Sequence, residues 1–316
     1  MLFCLAMFAV SIAVPKPDQR LPYMERCHVL GATEPGVTNV VVQGRNFPVY
    51  KTGAWAAYVD VAEGENTVVV SAYESSGCSE ATRRFTVAAK PKPKVDAASG
   101  QPVEAKPTVY KKLDYAGDWP KAHPSEKTPR EVTVIVDPGH GGGKDLGCVS
   151  PHGWFEKDAN LLLSEAVREE LAKLGYRVVM TRRNDRAIPL QERPKAIYAV
   201  GGDAFISIHH NAPPLDRDAA NIRYAVLYSW NPLGDALARA IAKRMDEFQG
   251  TELKSNGAMH ANFAVTRNPE IPSCLIEADF ITSPEGEEAV WNPERRQRLA
   301  AAIAAGFADW HRGVPE

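Results

Sequence analysis

Residues 131–142 read EVTVIVDPGHGG, and residues 160–175 read NLLLSEAVREELAKLG. The first is a continuous apolar run, as expected of a strand covered on both faces. The second places Leu161, Leu162, Ala166, Leu171 and Leu174 roughly on one helical face and stops at Gly175. Working outward, the alternation continues. YRVVMT (176–181), AFISIH (204–209), RYAVLYS (223–229), FAVTR (263–267) and SCLIEA (273–278) read as strands. PLQERPKAIYAV reads as a helix starting near Pro189 and disturbed at Pro194. GDALARAIAKRMDEF (234–248) and RRQRLAAAIAAGFADWH (295–311) read as longer helices. Strands alternating with helices predict an α/β domain over 131–316, with a mostly parallel twisted sheet and helices on both faces. In such sheets chemistry gathers at the carboxyl ends of the strands.

The sequence before this domain has a different character. Residues 20–89 hold NVVVQG, WAAYVDV, NTVVVSAYE and RRFTVAA, rich in β-branched and aromatic residues and punctuated by Gly44, Gly53, Gly64 and Gly77. They predict a small all-β sandwich. Residues 90–130 interleave lysines with Pro91, Pro93, Pro102, Pro107, Pro120, Pro124 and Pro129, the composition of an extended linker. The opening MLFCLAMFAVSIA is apolar, too short to span a bilayer, and closed by small residues before Pro15. It reads as a signal peptide over residues 1–13, which implies export to the periplasm or the exterior. Cys27 with Cys78, and Cys148 with Cys274, are compatible with disulfides, with free thiols favoured for the second pair.

Composition excludes some partners. The net charge is -2 for 316 residues, so no electrostatic footprint for nucleic acid is present. No segment is long and apolar enough to be a transmembrane helix.

The predicted strand ends carry a particular set of side chains. VTVIVD runs into His140, AFISI into His209, His210 and Asn211, and SCLI into Glu277. Glu156, in GWFEKD, precedes the first long helix. Each alone has an ordinary structural reading: a satisfied histidine, or a glutamate favouring a helix start. Together they form the inventory of a catalytic zinc site, with two histidines and a carboxylate on the metal and a second carboxylate as general base. No G-x-S-x-G elbow is present, so a serine hydrolase is a poor reading.

VIVDPGHGG, GWFEKDANLLL, GYRVVMTR, PLQERPKAI, DAFISIHHNA and IPSCLIEADFITSPEGE together resemble the zinc-dependent N-acetylmuramoyl-L-alanine amidases (amidase type 3). The resemblance spans essentially all of residues 131–312. It implies that His140, Glu156 and His209 bind Zn2+ and that Glu277 is the catalytic carboxylate. It implies hydrolysis of the amide between N-acetylmuramic acid and L-alanine in peptidoglycan, in wall remodelling or daughter-cell separation. His210 and Asp279 depart from the family pattern. With Asn211 and Arg193 they are expected to support the metal ligands or to contact substrate. Between Met245 and Phe263 the chain has room for a short connection, so no site-plugging helix is expected. VAEGENTVVVSAYESSG (61–77) resembles bacterial Ig-like modules, leaving wall binding and a passive spacer as the two readings of the sandwich. A zinc peptidase or deacetylase, and a non-catalytic wall-binding protein, are the alternatives to the amidase.

Overall fold

The computed structural model describes residues 9–74, 77–92, 127–249, 252–253 and 255–314. The predicted linker lies mostly outside them. The chain divides into two compact units, one of residues 1–110 with 213–221, the other of 111–212 with 222–316.

The first unit is the expected β-sandwich. One sheet has β1 (Ser11–Val14), β3 (Arg26–Ala32) and β6 (Ala54–Asp60), in the order β1-β3-β6. The other has β2 (Gln19–Leu21), β4 (Asn39–Val42), β5 (Arg45–Pro48), β7 (Gly64–Glu74) and β8 (Gly77–Val87), in the order β2-β8-β7-β4-β5. Alternate residues meet between the sheets: Val29, Trp55, Ala57 and Val59 from the first face Val40, Val42, Val68, Val70 and Phe85 from the second. Buried branched side chains of this kind contribute about 1.5–3 kcal/mol each.

Two boundaries differ from the sequence reading. Ser11–Val14 pairs with β3, and Val10 and Ile12 join the core. The last residues of the segment read as a leader thus take part in the sandwich core. The second difference is residues 213–221, placed by sequence in the α/β domain. Here Leu215 packs on the sandwich core, and Ala219 is fully buried with Leu30 and Ala56. The backbone N–H of His28 donates to the Leu215 carbonyl at 2.9 Å, and the Tyr58 hydroxyl donates to the Asp216 carbonyl at 2.6 Å. Cys27, Cys78, Cys148 and Cys274 are all free thiols, so neither conceivable disulfide forms.

The second unit is a six-stranded sheet. Its strands are β9 (Thr133–Pro138), β10 (Arg177–Met180), β11 (Ala204–Asn211), β12 (Ala225–Ser229), β13 (Ser255–His260) and β14 (Ser273–Phe280), in the order β10-β9-β11-β14-β12-β13. The first four strands in that order are mutually parallel, and β12 runs antiparallel to β14. The helices are α1 (Glu156–Lys173), α2 (Lys195–Val200), α3 (Pro232–Gln249), α4 (Pro284–Trp291) and α5 (Pro293–Arg312). On one face, Val134, Val136, Ile206, Ile208 and Ile276 pack against α1, α3 and α5 through Leu163, Val167, Leu237, Ile241, Ile303 and Phe307. On the other, Ile135, Phe205, Val226 and Leu275 are covered by Ile197 of α2.

Three local expectations change. The buried face of α1 runs Glu156, Asn160, Leu163, Ser164, Val167, Leu171, while Leu162 and Leu174 are exposed. Residues 263–267 form a turn, not a strand: the Thr266 hydroxyl bonds the carbonyls of Ala261 and Phe263 and closes it. The helix expected near Pro189 starts only at Lys195, after Pro194, whose ring cannot sit inside a helix. Among the described residues no helix lies between α3 and β14, and no helix is long and apolar enough to cross a membrane.

Candidate metal centre

β9, β11 and β14 end at one edge of the sheet, and the register aligns what they carry. Ser207 lies opposite Asp137, and His209 opposite Glu277. The chain after β9 turns sharply. His140 itself holds a positive φ of 58°, a conformation non-glycine residues rarely adopt outside functional sites. Gly139 is needed there because an added Cβ would overlap the His209 ring. Gly147 is needed too, since a Cβ would crowd Glu156 and His140, and its φ is 69°.

Two buried arginines brace this turn. Arg182 Nε donates to the Pro138 carbonyl at 3.0 Å, and its Nη2 to the carbonyls of Gly139 at 2.9 Å and Lys157 at 2.7 Å. Arg193 donates to the carbonyls of Pro138 and His140, both at 2.8 Å. Arg193 also pairs with Asp137, which accepts from Thr181 and Ser207 as well. Asp137 is fully buried and wholly engaged, so its charge is spent on the scaffold. Arg193, 3% exposed, braces the turn that carries His140.

His140, Glu156 and His209 each offer a ligand atom, all within 4.8 Å of one another. His140 Nε2 lies 3.3 Å from Glu156 Oε2, and His209 Nδ1 lies 3.0 Å from Glu156 Oε1. The Nδ1 of His140 bonds Asp145 at 2.5 Å, which fixes the ring and leaves Nε2 turned to the cluster. Burial would push the Glu156 carboxyl up, but the two imidazoles hold it well below the usual carboxylate range. Burial would likewise lower His140, but Glu156 and Asp145 raise it to about 9.

Glu277 completes the set. It is raised well above the ordinary value by burial and by the Glu156 charge, against the opposing pull of His140. Its Oε2 is buried without a hydrogen-bond partner. A buried carboxylate oxygen left unpaired beside a two-imidazole, one-carboxylate cluster is what a divalent cation and its water would satisfy. The donor set therefore fits a metal, and nitrogen and oxygen donors suit zinc.

The other predicted positions have separate places. His210 is buried, and burial lowers its pKa to about 3, so it is neutral. Its Nδ1 meets Asn160 Oδ1 at 2.8 Å, and Asn160 Nδ2 donates to Glu156 Oε1 at 3.1 Å. His210 thus reaches the Glu156 carboxylate through the Asn160 amide. Asn211 caps its own turn, its Oδ1 accepting from Ala212 N. Asp279 is fully buried, bonded by Arg223 at 2.8 Å through two nitrogens and by Arg295 at 3.1 Å. It is a scaffold anion and takes no part in the metal cluster. Sequence reasoning missed Arg182, Asp145 and Asn160. Asn160, four residues after Glu156 on α1, was open to discovery by helical spacing.

Comparison with known proteins adds to this geometry. A profile of the N-acetylmuramoyl-L-alanine amidases (Amidase_3) matches residues 134–309. The probable cell wall amidase LytH of Staphylococcus aureus is 34% identical over 200 residues, covering 62% of this chain and 62% of that protein. Its counterpart in Staphylococcus epidermidis (strain ATCC 12228 / FDA PCI 1200) is 31% identical over 180 residues, covering 56% of this chain and 58% of that protein. The chain thus spans about three fifths of the length of these curated relatives. Among solved structures, the amidase AmiC2 of Nostoc punctiforme is 31% identical with a TM-score of 0.53, covering 57% of this chain and 97% of that one. An amidase from Clostridium difficile 630 is 28% identical with a TM-score of 0.54, covering 58% and 98%.

Proposed function

The chain belongs to the N-acetylmuramoyl-L-alanine amidase family, and on that premise we propose that it hydrolyses the amide joining N-acetylmuramic acid to L-alanine in peptidoglycan, using zinc. The observation that carries the reading is the convergence of His140, Glu156 and His209 beside the unpaired buried oxygen of Glu277. Two imidazoles and a carboxylate would hold the metal, and when bound it would supply Lewis acidity toward the amide carbonyl and toward water. Glu277 takes the proton from the attacking water. Its Oε2, buried without a hydrogen-bond partner, is placed to accept that proton. Glu277 then delivers the proton to the departing alanine nitrogen, since an amine leaves poorly unless protonated. Asp145 and the His210–Asn160 pair hold two of the ligands in place through this cycle.

Peptidoglycan lies outside the cytoplasmic membrane, so the site of action we infer is the exterior or the periplasm. The sandwich is read as an accessory unit, and binding to the wall is its proposed role. The test is a digest of purified sacculi read by mass spectrometry. Release of intact stem peptides beginning with L-alanine, abolished by chelation and restored by zinc, is the expected result. Cleavage elsewhere in the peptide, or activity indifferent to chelation, would overturn the reading.

A further inference from the structure

Trp154 stands two residues before the metal-ligand carboxylate of Glu156 and is 45% exposed. Large apolar rings left in water at one place on a surface mark contact sites. This ring sits on a built turn. Val149 and Phe155 form an antiparallel bridge, Ser150 N donates to the Trp154 carbonyl at 2.9 Å, and Trp154 N donates to Ser150 Oγ at 3.1 Å. Between them His152 is clamped by Glu287 of α4, through its backbone N–H at 2.9 Å and its Nδ1 at 2.7 Å. Glu287 is 1% exposed, so a buried carboxylate is committed to fixing a surface turn.

The fixed turn presents one ring. The His152 imidazole stacks on the Trp154 indole, with centroids 5.1 Å apart and planes 19° apart. Trp291, at the end of α4, meets the indole edge to face at 5.1 Å. The intervening Phe155 is extended (φ −102°, ψ 142°), which separates the Cα atoms of Trp154 and Glu156 by roughly 6–7 Å. Trp154 and Glu156 are thus neighbours along one extended stretch of chain. The axial C–H bonds of a pyranose make one of its faces apolar, and a flat indole held against rotation is the partner that face takes.

We propose that Trp154, carried on His152 and braced by Glu287 and Trp291, is a stacking platform for a pyranose ring of the glycan strand. This rests on the amidase reading, and the test separates the two. The zinc-loaded full chain and its Trp154→Ala and Trp154→Phe variants are assayed on disaccharide-peptide fragments. Metal content is measured in each. Trp154→Ala is expected to raise KM about tenfold with little change in kcat, and Trp154→Phe to recover most of the loss. Chitotetraose is titrated in parallel into wild type, with the Trp154 indole N–H resonance as the readout. A shift of that resonance, missing from Trp154→Ala, is the expected result. Unchanged KM in Trp154→Ala, with an indole indifferent to chitotetraose, overturns the platform and leaves the amidase standing. A chitotetraose-responsive Trp154 in a chain that releases no stem peptide overturns the amidase and leaves a sugar site.

Discussion

The metal centre and the sandwich both draw together residues far apart in sequence, by opposite means. His140, Glu156, His209 and Glu277 are delivered by the ends of β9, β11 and β14 and the start of α1. Those elements form on their own apolar patterns, and the side chains arrive with them. The sandwich acquires residues 213–221 as irregular chain, held by the burial of Ala219 and by bonds from His28 and Tyr58 to main-chain carbonyls. The difference teaches which substitutions cost activity and which cost stability. At the metal centre, chemistry is concentrated in groups that the fold tolerates at an energetic loss. In the sandwich, no chemistry is visible and the whole cost of a change falls on packing.

The largest effect tests the first half of that contrast. Glu277→Gln is expected to lower turnover on muropeptides about a thousandfold, with metal content retained. Its unfolding midpoint should not fall, because the change removes a buried, unpaired carboxylate. A destabilised variant, or one with ordinary turnover, would break the comparison. The next effect tests the second half. Ala219→Leu forces extra methylenes into a fully buried position and is expected to cost about 1–3 kcal/mol in denaturant unfolding. The kcat/KM on small soluble muropeptides should stay near wild type. A parallel loss of activity would show that the two regions do not fail separately.

The smallest effect sharpens the contrast through pH. Burial lowers the His28 pKa from its ordinary 6.5, against the Arg217 carbonyl and the charges of Asp218 and Asp216. The unfolded chain therefore binds the proton first. The stabilising contribution of neutral His28 is complete above about pH 6.5 and is lost as the pH falls below it. His28→Gln should flatten the acid limb of a stability–pH profile. An unaltered limb would mean that His28 is not held buried in solution.

Much of the catalytic half was legible because its signals are local. VTVIVD and AFISIH are largely apolar runs; the first leads into His140 and the second ends in His209. The sandwich class was legible for the same reason. What escaped were features set by partners distant in sequence. Nothing near Leu215 or Ala219 announces a docking partner nearly two hundred residues upstream. Ile12 pairs with Gly31 of β3, and nothing near Val10 or Ile12 announces their place in the sandwich core. FAVTR has strand composition, but a single threonine hydroxyl closes it into a turn. Nor did the sequence show that Arg193 and Asp279 lie in buried ion pairs, with Asp137 and with Arg223 and Arg295.

Gly139 and Gly147 press bare main chain against the rings and the carboxylate that meet at the sheet edge. A library of variants covering these two sites would find almost nothing tolerated, although neither contributes a donor atom. The rim is freer: Trp154 faces water and touches no metal ligand among its ring contacts. A lineage can therefore retune which polymer it grips by editing the periphery, while the reaction itself stays locked in place by two absent side chains.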